Sequence, residues 1–312
     1  MSLRAILCVC KTFPSFGLCI LMASACSAYA QQSEPSPARL PSWNNNALIE
    51  IQKRGGDPAH SGDVKIEFYG HDAFKITSPS GLTILTDPWR NDATGAFPKW
   101  FLNEFPPLRV DIVLSTHAHF DHDAVERPNA LMVLERLVGQ YTLGDTEIIG
   151  LADKHQCESP PDDKSDRTST YFATCPPKNA VGFDNAIQII ATGGLRIAVW
   201  GDNRGTPDPS LDHYLKNIDV LILPVDTVLT RPEVDAIVRK YDPKAIIPAH
   251  YFVEGLTTTG SGVESADSWV NDQEKTYHAD VRRLDRADLT LNPAELKGSH
   301  HRIYYFGSHW EK

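Results

Sequence analysis

The stretch Ser115-Thr116-His117-Ala118-His119-Phe120-Asp121-His122-Asp123 decides how the chain is read. It follows an apolar run, residues 110–114, in which Asp111 is the only charge. That run predicts a buried strand ending where the histidines begin. Three imidazoles and a carboxylate within six residues form a metal-ligand set that a loop leaving a strand end can fold around a cation. A single histidine in a polar turn would be an ordinary, partly buried and hydrogen-bonded side chain. Three at spacings of two and three, with Asp121 between the last pair, point to a metal.

Outward from this centre, the pattern is one of strands that end in polar residues. Val64, Ile66 and Phe68 alternate with polar positions before the Gly70-His71-Asp72 turn. Residues 73–76 and 82–86 continue the meander until Asp87-Pro88 stops it. Downstream, residues 130–138 carry helical spacing, with Leu131, Leu134 and Leu137 in line. Strands are expected at 146–151, 186–190, 195–200, 219–224, 245–248 and 303–306, a helix at 232–241, and irregular chain over 255–271. This predicts one α/β domain, residues 61–312, with helices outside two packed sheets. His155, Asp202 and His250 follow strands just as the central motif does. Singly they read as a surface histidine, a turn aspartate and a satisfied histidine. Their shared placement marks a site assembled on rigid strand ends.

The first thirty residues read as an export signal: Arg4 and Lys11, an apolar stretch over 16–25, then Ala28-Tyr29-Ala30 before Gln31. Cys26 leaves a lipoprotein as the alternative; a soluble periplasmic or secreted product, without stable membrane insertion, is the preferred expectation. Residues 31–60 form an extension with one short helix near 43–53. Removing the signal takes two of the 30 basic residues and none of the 40 acidic ones. The acidic balance argues against nucleic acid as a partner, leaving a small molecule as the expected substrate. Cys157 and Cys175 are the two cysteines beyond the signal and are a disulfide candidate in an oxidising compartment. No Gly-x-Ser-x-Gly elbow surrounds Ser115, and no Rossmann or P-loop glycine pattern follows a strand.

His-x-His-x-Asp-His, followed by an isolated His, an Asp and a final His, resembles the signature of the metallo-β-lactamase-fold hydrolase superfamily over roughly residues 62–255. Gly70-His71-Asp72-Ala73-Phe74, Asp87-Pro88-Trp89 and Trp200-Gly201-Asp202 are similar to its lactonase-like and acyl-ethanolamine phospholipase-like branch. The resemblance implies a four-layer αβ/βα sandwich with the site along one sheet edge. It also implies two metal ions: His117, His119 and His155 on the first, Asp121, His122 and His250 on the second, and Asp202 bridging. Nitrogen and oxygen donors suit zinc, with another divalent metal as the alternative. Water bridging two cations ionises near neutral pH, so the expected reaction is hydrolysis by a bridging hydroxide, with Asp121 also handling the proton. Asp87 and Thr116 are candidates to support the ligands, Asp87 reading equally well as a strand-ending turn. His71 either reaches the substrate or caps a turn. Trp89, Phe97, Trp100, Tyr251, Phe252 and Trp269 are the expected substrate wall, for an ester, lactone, amide or aryl-halide centre. A phosphodiesterase, a hydrolytic dehalogenase and a non-catalytic metal or ligand carrier are the alternatives.

Overall fold

Two mixed β-sheets dominate the computed structural model, which describes residues 46–53, 56–156 and 184–312. The segment read as an export signal, Cys157 and Cys175 lie outside the described residues. The compact unit runs from Asn45 to Lys312, so the helix α1 (Asn46–Lys53) belongs to it, and Ile51 of that helix joins the core.

The first sheet holds β1 (Val64–Phe68), β2 (Phe74–Thr77), β3 (Thr83–Thr86), β4 (Arg109–Ser115) and β5 (Asn129–Glu135). Its sixth strand, β13 (Asp288–Leu291), pairs with β1 on the outer edge. Alternation sets the register of the opening meander, with Ile66 opposite Ile76 and Phe68 opposite Phe74. β3, β4 and β5 then run parallel.

The second sheet takes β6 (Gly139–Leu143), β7 (Thr146–Asp153), β8 (Asn185–Thr192), β9 (Leu195–Val199), β10 (Val220–Pro224), β11 (Ala245–Ala249), β12 (Val281–Arg283) and β14 (Arg302–Tyr305). Every residue of β8, β10 and β11 is buried, as continuous apolar runs require. Phe68 of the first sheet stacks on Tyr251 and Phe306, at the ends of β11 and β14, with centroids 5.8 and 5.2 Å away. The inner faces thus share one hydrophobic cluster.

A short helix, α2 (Asp212–Leu215), precedes β10. The longer α3 (Arg231–Tyr241) joins β10 to β11 and buries Val234, Ile237, Val238 and Tyr241. A capping box between Thr230 and Glu233 starts it, and Pro232 occupies its first turn. α4 (Asp267–Thr276) lies beside it, through Gln273 Nε2 donating to Asp235 Oδ1 at 3.2 Å and Arg231 Nη1 to Asp272 Oδ2 at 2.6 Å. The arrangement is the α/β sandwich that the resemblance implies. Among the described residues no helix is long and apolar enough to cross a membrane.

Two expectations are corrected. Residues 130–138 are not a helix: most of the segment is β5, parallel to β4 with Leu134 opposite Leu114. β5 is an edge strand whose side chains are mostly half-buried, so neither face selects a clean alternation and the three leucines mimic a helical period. The stretch 255–271 is not irregular throughout, because α4 begins at Asp267. Only Trp269 and Val270 of that helix are buried, too few to show periodicity.

Candidate metal centre

Five strand ends converge on one site. β4 releases His117, His119, Asp121 and His122; β7 releases His155; β9 releases Asp202; β11 releases His250; and β3 releases Asp87 behind them. The β1–β2 turn brings His71 and Asp72 to the same place.

The donor atoms fall into two groups around Asp202. In the first, His117 Nε2 lies 3.0 Å from His119 Nδ1 and 3.6 Å from Asp202 Oδ2, and His155 Nε2 lies 3.3 Å from the same oxygen. In the second, Asp121 Oδ2 lies 3.5 Å from His122 Nε2 and 3.7 Å from His250 Nε2. Asp202 Oδ1 completes it, 3.4 Å from His122 Nε2 and 3.7 Å from His250 Nε2. Donors arranged tetrahedrally at zinc bond lengths would stand about 3.4 Å apart, so both groups have the spacing a metal requires. His122 Nε2 and Asp202 Oδ1 are also buried without any hydrogen-bond partner, which is costly unless a cation takes their lone pairs. The residues present fit two metal ions.

The supports are equally specific. Asp87 Oδ1 accepts from Thr116 N at 2.7 Å, and its Oδ2 from Thr116 Oγ1 at 2.6 Å and from His122 Nδ1 at 3.0 Å. This leaves Nε2 of His122 as the outward lone pair. His155 forms a bridge with Asn203, and Gln156 N donates to Asp202 O at 2.7 Å, seating the isolated histidine beside the shared carboxylate. His71, Asp87 and His250 all have positive φ, at 58, 42 and 54°. Non-glycine residues held there cost about 1–3 kcal/mol each, strain that the surrounding sheet ends must sustain.

Gly201 permits the closest approach. Its φ is +55°, and a Cβ there would meet Thr116 Oγ1 at 2.5 Å. Gly201→Ala should therefore push on the Thr116–Asp87 pair and cost about 1–3 kcal/mol of stability. Urea denaturation measures this, and an unchanged midpoint would contradict the crowding.

Burial and neighbouring charge divide the titration behaviour. Burial holds the imidazoles of His71 and His119 down at about 3 and about 4, so both stay neutral with lone pairs available. It pushes the Asp72 carboxyl up to about 7. Burial opposes ionisation of Asp121 and Asp202 as well, but the surrounding imidazoles, His122 first among them, together outweigh it and hold both well below the usual carboxylate range.

The model of the beta-lactamase superfamily domain matches residues 65–250. The chain belongs to the beta-lactamase superfamily. Within it, a UPF0173 metal-dependent hydrolase of Pyrobaculum islandicum is 30% identical over 213 residues, 60% of this chain and 84% of that protein. One from an Anaeromyxobacter species is 28% identical over 224 residues, 62% of this chain and 76% of the relative. One from Thermodesulfovibrio yellowstonii is 40% identical over 86 residues, 28% of this chain and 32% of that relative's length. A crystal structure from Thermotoga maritima, of the metallo-beta-lactamase superfamily, shares the fold with a TM-score of 0.52 and 21% identity, covering 78% of this chain and 97% of its own.

Other expected positions of this superfamily chain lie elsewhere. Trp89, Tyr251 and Trp269 do not form an open wall: all three are buried in the core. Trp89 stacks on Phe101 and donates Nε1–H to Tyr69 O at 3.0 Å, while the Tyr251 hydroxyl donates to Gly307 O at 3.0 Å. Burial thus satisfies the polar atoms of Trp89 and Tyr251, whereas Trp269 Nε1 is buried without a hydrogen-bond partner. His71 neither reaches outward nor merely caps a turn. It is wholly buried, with Nε2 3.0 Å from Asp121 Oδ2 and its ring 4.0 Å from that of His250. Trp100 is half-buried and stands edge-on to His71 at 6.1 Å.

Two residues of the site went unnoticed in the sequence. Asp72 is fully buried, with Oδ2 3.7 Å from His122 Nδ1; it sits directly after His71, where an aspartate is ordinary turn chemistry. Asn203 donates Nδ2–H to Asp153 Oδ2 at 2.8 Å and accepts at its carbonyl from Trp200 Nε1 at 3.0 Å, locking the Asp202 turn. Its only signal was adjacency to Asp202.

Proposed function

We propose that this metal-dependent hydrolase works with two zinc ions and cleaves an ester, lactone or amide bond in a small organic substrate. The observation that carries the reading is the division of Asp202: Oδ2 faces His117 and His155, while Oδ1 faces His122 and His250. His117, His119 and His155 would hold one ion, Asp121, His122 and His250 the other, and Asp202 both. All donors are nitrogen or oxygen, a set that suits zinc. Bound there, the ions would bring the ionisation of water towards neutral pH and polarise the scissile carbonyl.

The chain's own side chains do the rest. Asp121 is the acid–base group: ionised and nearly buried, it takes the proton of the attacking water and returns it to the leaving group. His71, fully buried at 3.0 Å from Asp121 Oδ2, orients that carboxylate. Asp87 and Thr116 keep the His122 ring turned towards the site. Ser115 is no nucleophile, because its buried hydroxyl donates to the His117 carbonyl at 2.9 Å. The leader composition further supports export, which N-terminal sequencing of the mature product would establish.

Elemental analysis of the reconstituted protein, run beside a panel of esters, lactones, amides and a phosphodiester, tests the reading. Two zinc ions per chain are expected, with turnover abolished by chelation and restored by zinc. At most one tightly held ion, or a preference for the phosphodiester, would overturn it.

A further inference from the structure

The aromatic side chains near the site divide by exposure. Trp89 and Phe101 are sealed into the core, but Phe97 is 55% exposed, and Trp100 and Phe120 are half-buried. These last three rings form a line. Phe97 and Phe120 have centroids 5.4 Å apart, and Trp100 meets Phe120 edge-on at 5.1 Å. Trp100 in turn stands 6.1 Å from His71, whose Nε2 is 3.0 Å from Asp121. A series of ring contacts therefore links the exposed Phe97 to His71 beside the second donor group, and Phe120 lies in the chain between the donors His119 and Asp121.

The segment carrying Phe97 and Trp100 is tied down. Asn91 Oδ1 accepts from Trp100 N and Phe101 N, each at 2.9 Å. Asp92 Oδ2 accepts from Phe97 N at 3.0 Å, and Thr258 N donates to Trp100 O at 2.8 Å. Rings left partly open on an anchored segment forgo about 25 cal/mol for each Å² of apolar surface not buried, which suits a surface kept for a ligand. On the same segment Arg90 Nη1 is paired with Asp123 and Glu126, while the exposed Lys99 donates to the Leu102 carbonyl.

We infer that Phe97, Trp100 and Phe120 form the wall that receives an uncharged aryl or alkyl group carried on the acyl side of the bond being cleaved. The inference rests on the proposed hydrolase and narrows its substrates to neutral esters, lactones or amides with an apolar arm.

The test uses ethyl acetate, ethyl hexanoate and ethyl phenylacetate, which share a leaving group too small to occupy the wall. With the zinc-loaded protein, kcat/KM for hexanoate and phenylacetate should exceed that for acetate about tenfold or more. Phe97→Ala and Trp100→Ala should each bring the ratio down to about threefold or less, chiefly through KM, and Trp100→Phe should restore most of it. An equal ratio in the native protein and both alanine variants overturns the inference. Calorimetry with 4-phenylbutan-2-one, a ketone that cannot be hydrolysed, separates this from failure of the hydrolase reading. Binding weakened about tenfold in the alanine variants would uphold the wall even if no ester is turned over. No binding, or binding unchanged in the variants, would overturn it. Sedimentation showing a dimer that these variants dissociate would likewise overturn it, assigning the rings to contact between copies.

Discussion

With two ions bound as proposed, Asp202→Ala should cost the protein both rather than one. Each of its oxygens serves a different donor group, at 3.3–3.7 Å from the neighbouring imidazole nitrogens. Truncation therefore leaves each group one donor short and also removes the charge common to both. His155→Ala should behave differently, emptying the first position while the second keeps its ion, because His155 Nε2 faces Asp202 Oδ2 on the side of the first group, 3.3 Å away. Metal assistance of this kind supplies several kcal/mol of transition-state stabilisation, and each 1.36 kcal/mol is tenfold in rate. Hydrolysis by Asp202→Ala should accordingly fall by about 10³-fold or more. Elemental analysis after gel filtration in metal-free buffer reads the stoichiometry directly. Two ions retained in Asp202→Ala, or both lost in His155→Ala, would remove the shared carboxylate from the scheme.

The donors were legible in the sequence for a chemical reason. Imidazoles at spacings of two and three are hard to explain by folding alone, and strand ends are where a rigid sheet can present them. His155, Asp202 and His250 became readable only because each follows an apolar run. The supports were less visible, since they work through atoms that any aspartate or threonine owns: Asp87 reads as an ordinary Asp-Pro strand stop until its two oxygens are seen on Thr116 and His122. Aromatics misled for the opposite reason. Trp89 and Tyr251 lie in connecting segments and Trp269 on the mostly exposed α4, where no strand pattern accounts for them, yet in three dimensions they fill the core. Phe120, hidden inside the ligand motif, is the ring that faces Phe97 and Trp100. β5 and α4 were lost because an edge strand and a mostly exposed helix bury too little to impose a period.

Two buried aspartates on one imidazole edge should respond to substitution with opposite signs. Asp87 is bonded at both oxygens, so Asp87→Ala leaves the Thr116 amide and His122 Nδ1 buried without their acceptor. Each group abandoned this way costs about 1–3 kcal/mol, and loss of the support behind a ligand histidine typically weakens a metal about 10–100-fold. The variant should therefore unfold at distinctly lower urea concentration and lose its second ion first. Asp72, by contrast, lies 3.7 Å from His122 Nδ1, and neither of its buried oxygens has a hydrogen-bond partner. A carboxylate in that position is a burden on the metal-free fold, because its desolvation is not offset by any donor. Asp72→Asn keeps the shape and removes the charge, so the chelator-treated variant should be at least as stable as the native chain. Urea denaturation of the chelator-treated proteins decides the matter. A loss in Asp72→Asn as large as that in Asp87→Ala would mean that Asp72 anchors the turn carrying His71 and is no uncompensated charge. A gain confined to Asp72→Asn would mean that the chain tolerates an unfavourable carboxylate behind its metal site, where the positive charge of bound ions offsets it.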